Sequence, residues 1–302
     1  LMAQLIQMLK EEVEKKGGGI GDMKETVIPG FTRDTTPDDK PAVCVFGEEN
    51  TGKTRFLCTA PHDEGLLAVL ALDKNCKRSI EEWKRSDPNG GRIVVNDKPF
   101  ITDKEGLKLA VKDCKVAEDL KVILKTYSDA VQRVMEAGVR LADSPDVESI
   151  GLDNGSLLFD MILFSHFGRK NQIESYQRGA SNQDMIDFIN AMRTKNFVLV
   201  CRGSEIWKDT GETDSQGRKK QSPTGVLKPD GFGKLGYFMT AVCELTARRK
   251  MPKDGRLDEK YRVVVKTAKG NTLLEGWDLH EYGVSGENIT WENLLTALGI
   301  SA

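Results

Sequence analysis

Along the chain, short stretches rich in apolar residues alternate with longer ones in which apolar residues recur every three or four positions, and the two patterns predict strands and helices in turn. Ala42 to Phe46, Leu66 to Leu72 and Phe197 to Cys201 are apolar runs of strand length, as expected of parallel strands covered on both faces. Arg92 to Val95, after the turn at Asn89-Gly90-Gly91, and Ser149 to Leu152 add two more strands. Helical spacing predicts a helix over Arg55 to Thr59, stopped before Pro61, and further helices over Ser156 to Phe167 and Met185 to Met192. Between Lys104 and Ala142 it predicts two helices, with Val116, Leu120, Ile123 and Leu124, then Val131, Val134 and Met135, as buried stripes. Strands alternating with helices predict an α/β fold with a mostly parallel sheet flanked by helices.

Both ends of the chain change the pattern. Leu1, Leu5, Met8, Leu9 and Val13 share one helical face until Gly17-Gly18-Gly19, which predicts an amphipathic helix over 1–16. Residues 17–40 are polar, with Pro29-Gly30 and Pro37, and read as a linker before a core over 41–283. Ala241 to Ala247 and Tyr261 to Lys266, separated by a polar turn containing Pro252 and Gly255, predict a C-terminal antiparallel hairpin at one sheet edge. Within 284–302, Thr290 is placed to cap a last helix that buries Trp291, Leu294, Leu295 and Leu298.

Composition narrows the classes. The chain has 302 residues, 39% hydrophobic and 30% charged, with a formal net charge of −2, a globular balance. So small a net charge creates no global field for nucleic acid, and any such contact must come from local basic patches. The six cysteines form no C-x-x-C pair, which points to free thiols in a reducing compartment. No apolar stretch has the length of a membrane span and Leu1 to Leu9 lacks a basic front end, so a cytoplasmic, membrane-free protein is expected. His62, His166 and His280 lack metal-ligand spacing, and Trp83, Trp207, Trp277 and Trp291 read as packing residues.

The most specific chemistry lies directly after the first strand. Gly47-Glu48-Glu49-Asn50-Thr51-Gly52-Lys53-Thr54 is a complete G-x-x-x-x-G-K-[ST] phosphate-binding loop, followed by Arg55. Its main-chain N–H groups form an anion cradle, Lys53 would reach the outer phosphates, and the Thr54 hydroxyl would hold Mg²⁺. Glu48 and Glu49 read as solvated loop positions. Such a site needs a second carboxylate to orient the metal, and Asp153, at the end of the Ile150-Gly151-Leu152 strand, fits; its other reading is a helix N-cap. Asp73 at the end of the second strand is the first candidate to position a water, or else a turn residue. Arg202, after Cys201, would sense an outer phosphate or pair with a surface carboxylate.

The order of these pieces, with Leu72-Asp73, Leu152-Asp153-Asn154, Cys201-Arg202, Gly52-Lys53-Thr54-Arg55-Phe56 and Lys234-Leu235-Gly236-Tyr237, resembles the RecA-like ATPases of bacteriophages. That group includes the phage single-strand annealing recombinases and related AAA-type nucleotide-binding proteins. The resemblance spans about residues 41 to 283, and the phosphate loop is its one specific motif. It implies a RecA-like core, ATP with Mg²⁺, binding to single-stranded DNA, and homo-oligomeric rings or filaments with nucleotide between neighbours. Two positions depart from the family pattern: Asn75 stands where a glutamate is common, and Asn154 where a serine is common. A helicase, helicase loader or packaging motor, or a nucleotide-dependent scaffold with little hydrolysis, would use the same core.

By the same resemblance, the segments 165–182 and 203–235 would face DNA. The first carries Arg169, Lys170, Tyr176 and Arg178, and the second Lys208, Arg218, Lys219, Lys220 and Lys228 among Gly and Ser. Basic mobile loops with an occasional aromatic suit a phosphate backbone and base stacking; solvated connectors would look similar. Arg248, Arg249, Lys266 and Lys269 on or after the late hairpin would reach a neighbour's phosphate, or else serve as edge-strand charges.

Overall fold

In the first strand, β1 (Ala42–Gly47), every residue is buried, so both faces must be covered. The computed structural model describes residues 40–96, 98–101, 103, 110, 117–169, 173–213, 219–250, 258–268, 275–279 and 284–300. They belong to a compact unit that spans Asp39–Ala302. The helix expected over 1–16 and the linker up to residue 39 lie outside the described residues.

After β1 come α1 (Lys53–Leu57), β2 (Leu66–Ala71), α2 (Lys74–Lys84) and β3 (Ile93–Val95). Then follow α3 (Ala117–Asp143), β4 (Val147–Asp153), α4 (Gly155–Phe167), α5 (Gly179–Met192), β5 (Asn196–Thr213) and β6 (Lys219–Pro229). The short α6 (Leu235–Phe238), then β7 (Ala241–Lys250), β8 (Asp258–Ala268) and α7 (Trp291–Leu298) complete the described elements. The sheet runs β3-β2-β4-β5-β1-β7-β8, with β6 attached to β5. All neighbours from β3 to β7 are parallel, whereas β7–β8 and β5–β6 are antiparallel. The α/β class, the mostly parallel sheet and the late antiparallel pair therefore match the sequence pattern.

Alternation along the strands builds two cores. Ala42, Cys44, Phe46, Ala68, Leu70, Ile150, Leu152, Phe197 and Leu199 pack with α3, α4 and α5 on one face. Val43, Val45, Leu67, Val69, Val198, Val200, Cys243 and Leu245 pack with Phe56, Leu57, Ile80 and the α7 residues on the other. Each large side chain so buried contributes roughly 1.5–3 kcal/mol. Gly151 on β4 marks how close α1 lies, because a Cβ there would stand 2.9 Å from the Leu57 side chain. Thr290 caps α7 by accepting from the Asn293 N–H, and the four expected residues of that helix are buried. The Trp291 N–H donates to Thr59 Oγ1 at 2.8 Å, which ties the last helix to the end of α1.

Three expectations are corrected. Leu120 to Met135, assigned to two helices, lie on the single helix α3, in which the buried Thr126 and Tyr127 carry the stripe across the polar stretch between Leu124 and Val131; Val116 lies outside the described residues. The segment 203–235, expected as a mobile loop, is largely an antiparallel hairpin: β5 continues past the sheet and pairs with β6 from Gly203↔Pro229 to Thr213↔Lys219. Its alternation is polar on both faces, so no apolar period announces it. Trp207, read as packing, is 55% exposed on that hairpin, and Trp277 is also exposed. Among the described residues no helix is long and apolar enough to cross a membrane. Cys44, Cys58, Cys76, Cys201 and Cys243 are buried free thiols, while Cys114 lies outside the described residues.

Candidate functional site

The phosphate loop leaves the sheet at Gly47, the last residue of β1, whose φ of +151° suits glycine alone. A Cβ at Gly47 would lie 2.2 Å from the Leu245 carbonyl oxygen of β7, so the turn is seated against that neighbouring strand. Asn50 has φ +60° and Gly52 φ +82°, and the loop closes into α1 at Lys53. Thr51 Oγ1 donates to Glu48 O at 3.0 Å, an internal brace. The Lys53 ammonium donates to Gly47 O at 3.1 Å, to Thr51 Oγ1 at 3.3 Å and to Glu48 O, so it lies over the loop's own carbonyls. Burial lowers the Lys53 pKa, opposed mainly by the nearby Asp153 and Glu49 carboxylates.

Opposite the loop stands the end of β4. The order β4-β5-β1 puts Asp153 one strand away from the β1 register, and α1 bridges the gap: Thr54 Oγ1 donates to Asp153 Oδ2 at 2.7 Å. Asp153 is only 6% exposed. Burial raises its pKa, and hydrogen bonds from Thr54 and the Cys76 thiol, with the attraction of Lys53, pull the other way. The helix-cap role belongs to the next residue, since Asn154 Oδ1 accepts from the Leu157 N–H at 2.7 Å. Asp153 is thereby left to face Thr54.

Loop, β4 end and α2 enclose a cleft of about 430 Å³. Lys53, Thr54, Arg55, Asp73, Asp153 and Arg202 all line it, so the cleft gathers the residues singled out from the sequence for phosphate, metal and water. Asp73 caps α2, accepting from the Asn75 N–H at 2.8 Å. The Arg202 guanidinium lies 3.0 Å from Asp160 and 3.5 Å from Asp230, the surface-carboxylate pairing foreseen as its second reading. Glu48 and Glu49 are exposed, as expected.

Sequence reasoning missed three lining residues, Cys76 and Ser79 on α2 and Tyr261 on β8. Helix α2 is largely polar outside Cys76, Ile80 and Trp83, and nothing local places Tyr261 near the loop. The Arg55 guanidinium rests over the Trp83 ring, 5.4 Å from its centroid, and the Trp83 N–H donates to Asp87 at 2.9 Å.

The remaining candidates lie elsewhere. Arg169 and Tyr176 are exposed between α4 and α5, Tyr176 by 81%, and Arg178 is half-buried at the start of α5; Lys170 lies outside the described residues. On the β5–β6 hairpin, Lys219 pairs with Asp209 at 3.0 Å and Lys220 with Glu212 at 3.2 Å, and Arg218 lies outside the described residues. Arg248 and Arg249 belong to β7, past its last pairing with β1, and Lys269 lies outside the described residues. Lys266 is engaged within the chain, 2.6 Å from the largely buried Glu244.

The donors around Thr54 fit a hard divalent cation. A hydroxyl and a buried carboxylate, both oxygen ligands, suit Mg²⁺, which keeps most of its shell for water and phosphate. Among the described residues no group of three or more His, Cys, Asp or Glu forms a metal cage, so a transition-metal centre has no built site there. No protein-family model matches the chain, and no curated protein matches its sequence.

Proposed function

We propose that this chain binds a nucleoside triphosphate with Mg²⁺ in the cleft under the phosphate loop. It would act, as a RecA-like ATPase, on single-stranded DNA in phage-type recombination or replication. The observation that carries the nucleotide part is the 2.7 Å bond from Thr54 Oγ1 to the buried Asp153 carboxylate, beside a loop whose Gly47 admits no side chain. Two residues 99 positions apart meet where the motif's metal-binding hydroxyl requires a carboxylate.

In this reading the loop amides hold the phosphates, Lys53 exchanges the Gly47 and Glu48 carbonyls for phosphate oxygens, and Thr54 and Asp153 hold the metal. Bound Mg²⁺ supplies charge neutralisation at the phosphates. Burial disfavours the charged forms of Lys53 and Asp153, and their mutual attraction, less screened than between exposed groups, opposes that cost. Asp73 is the first candidate to orient a water, ahead of the exposed Glu49 that also lines the cleft, and its hydrogen bond from the Asn75 N–H holds it at the start of α2.

The DNA part is supported by the position of the β5–β6 hairpin. β5 leaves the sheet beyond Arg202, whose partner in β1 is Gly47, so the hairpin projects from the same edge as the phosphate loop. It presents the exposed Trp207 with Lys208 and Lys228. An exposed aromatic among lysines fits base stacking and phosphate contact without sequence reading. Assembly into a ring or filament would set nucleotide between protomers and bring Arg248 and Arg249 into play.

Asn75 and the capping role of Asp73 favour a second reading, in which nucleotide binding, more than turnover, sets the state of a scaffold. ATP turnover by the wild type and Lys53→Ala, with and without single-stranded DNA, beside a sizing measurement with a non-hydrolysable analogue, separates the two. The ATPase reading expects turnover that DNA changes and Lys53→Ala abolishes. Slow turnover indifferent to DNA, with ATP-dependent oligomers, favours the scaffold, and absence of Mg·ATP binding by calorimetry sinks both.

A further inference from the structure

We infer that Tyr261 is the base-stacking platform of this cleft, the residue that converts a triphosphate site into a nucleotide site; this rests on the nucleotide reading above. The phosphate end of the cleft is marked by Lys53, Thr54 and Asp153, all polar. A nucleobase is a flat π-surface that binds best against another one, and stacking of this kind is tolerant of base identity. Among the described residues that line the cleft, Tyr261 is the aromatic one.

Its placement is fixed from two sides. Tyr261 stands on β8 in antiparallel register with Ala247 of β7, and the ring is half-buried. Ring atoms Cδ1 and Cε1 lie 3.6 Å from where a Cβ on Gly52 would be, so the ring lies against the last turn of the loop before Lys53. The Arg55 guanidinium, also in the lining, lies over the Trp83 ring, 5.4 Å from its centroid. Ser79 and Asn75 on α2 add hydroxyl and amide groups to the lining for the polar edge of a base or a sugar. The C-terminal hairpin thus supplies the apolar contact and the N-terminal loop the polar ones.

The test compares two probes on the full chain in the presence of Mg²⁺, ATP and inorganic tripolyphosphate, by calorimetry. The wild type is expected to bind ATP more tightly than tripolyphosphate. Tyr261→Leu, which keeps an apolar group against Gly52, and Tyr261→Ala are each expected to weaken ATP about tenfold or more while leaving tripolyphosphate unchanged. Tyr261→Phe, which keeps the ring, is expected to bind both as the wild type does. If Tyr261→Leu leaves the ratio of the two affinities unchanged, or weakens both probes equally, the platform is overturned while the phosphate site stands. If the wild type binds neither probe, this inference falls together with the nucleotide reading.

Discussion

The phosphate loop and the β5–β6 hairpin rise from the same edge of one sheet and carry a comparable density of charge, yet they are built in opposite ways. Around the loop, three contacts come from groups far away in the chain: Gly47 against Leu245, Thr54 against Asp153, Gly52 beneath Tyr261. On the hairpin, Lys219 and Lys220 answer to Asp209 and Glu212 on the adjoining strand, in full contact with water. Buried charges interact through a low dielectric and shift one another, whereas exposed pairs are screened and contribute little. The difference teaches where chemistry and where plasticity reside. The loop is held by long-range contacts, whereas the hairpin's ion pairs lie between neighbouring strands in reach of solvent.

Four substitutions sharpen or break that contrast. Lys53→Ala should have the largest effect, a loss of Mg·ATP affinity of about a hundredfold or more, because it removes a cation that little else in the cleft replaces. Calorimetry checks it, and an unchanged affinity would place the ligand elsewhere. Gly47→Ala should lower the unfolding free energy by about 2 kcal/mol or more, measured by denaturant titration, since the new Cβ meets the Leu245 carbonyl at a φ that side chains avoid.

Asp153→Asn should cost roughly tenfold in the magnesium-dependent part of ATP affinity and should alter the pH response in a defined direction. Burial raises the Asp153 pKa, so the folded chain takes up this proton at a higher pH than the unfolded chain does. As pH falls through that raised value towards the ordinary carboxylate range, Asp153 adds stability to the folded state, while Mg²⁺-dependent binding declines over the same window. In Asp153→Asn both slopes should flatten. A wild-type stability that instead falls through that window with a slope Asp153→Asn removes would show a carboxylate stabilised in its charged form. The smallest effect belongs to the double substitution Lys219→Ala, Lys220→Ala, which should change the thermal midpoint by the equivalent of less than about 0.5 kcal/mol. It should nevertheless reduce the salt dependence of single-stranded DNA binding if the hairpin contacts phosphates.

Much of the scaffold was legible because a strand covered on both faces has to be apolar at nearly every position. The runs at Ala42 to Phe46, Leu66 to Leu72 and Phe197 to Cys201 say so without reference to any partner. Asp153 was legible for a related reason, since it is the acidic residue at which an apolar run stops. The hairpin was not, because β5 beyond Ile206 and most of β6 are exposed, and a strand with no face to bury has no period to display. Helix α3 was divided in two because its apolar stripe is interrupted by Lys125 to Asp129, although Thr126 and Tyr127 within that stretch are buried.

The phosphate-loop motif is local, written into eight consecutive residues, because main-chain amides, a lysine and a hydroxyl need only a tight turn to converge; hydrophobic periodicity likewise carried the fold class. Which carboxylate faces Thr54, which ring covers Gly52, and whether Arg202 points at phosphate or at Asp160 depended on strand order and register. Those are contacts between residues from 42 to about 200 positions apart. Their geometry is set by how two cores pack against one sheet, a property of the assembled chain that no local window of residues contains.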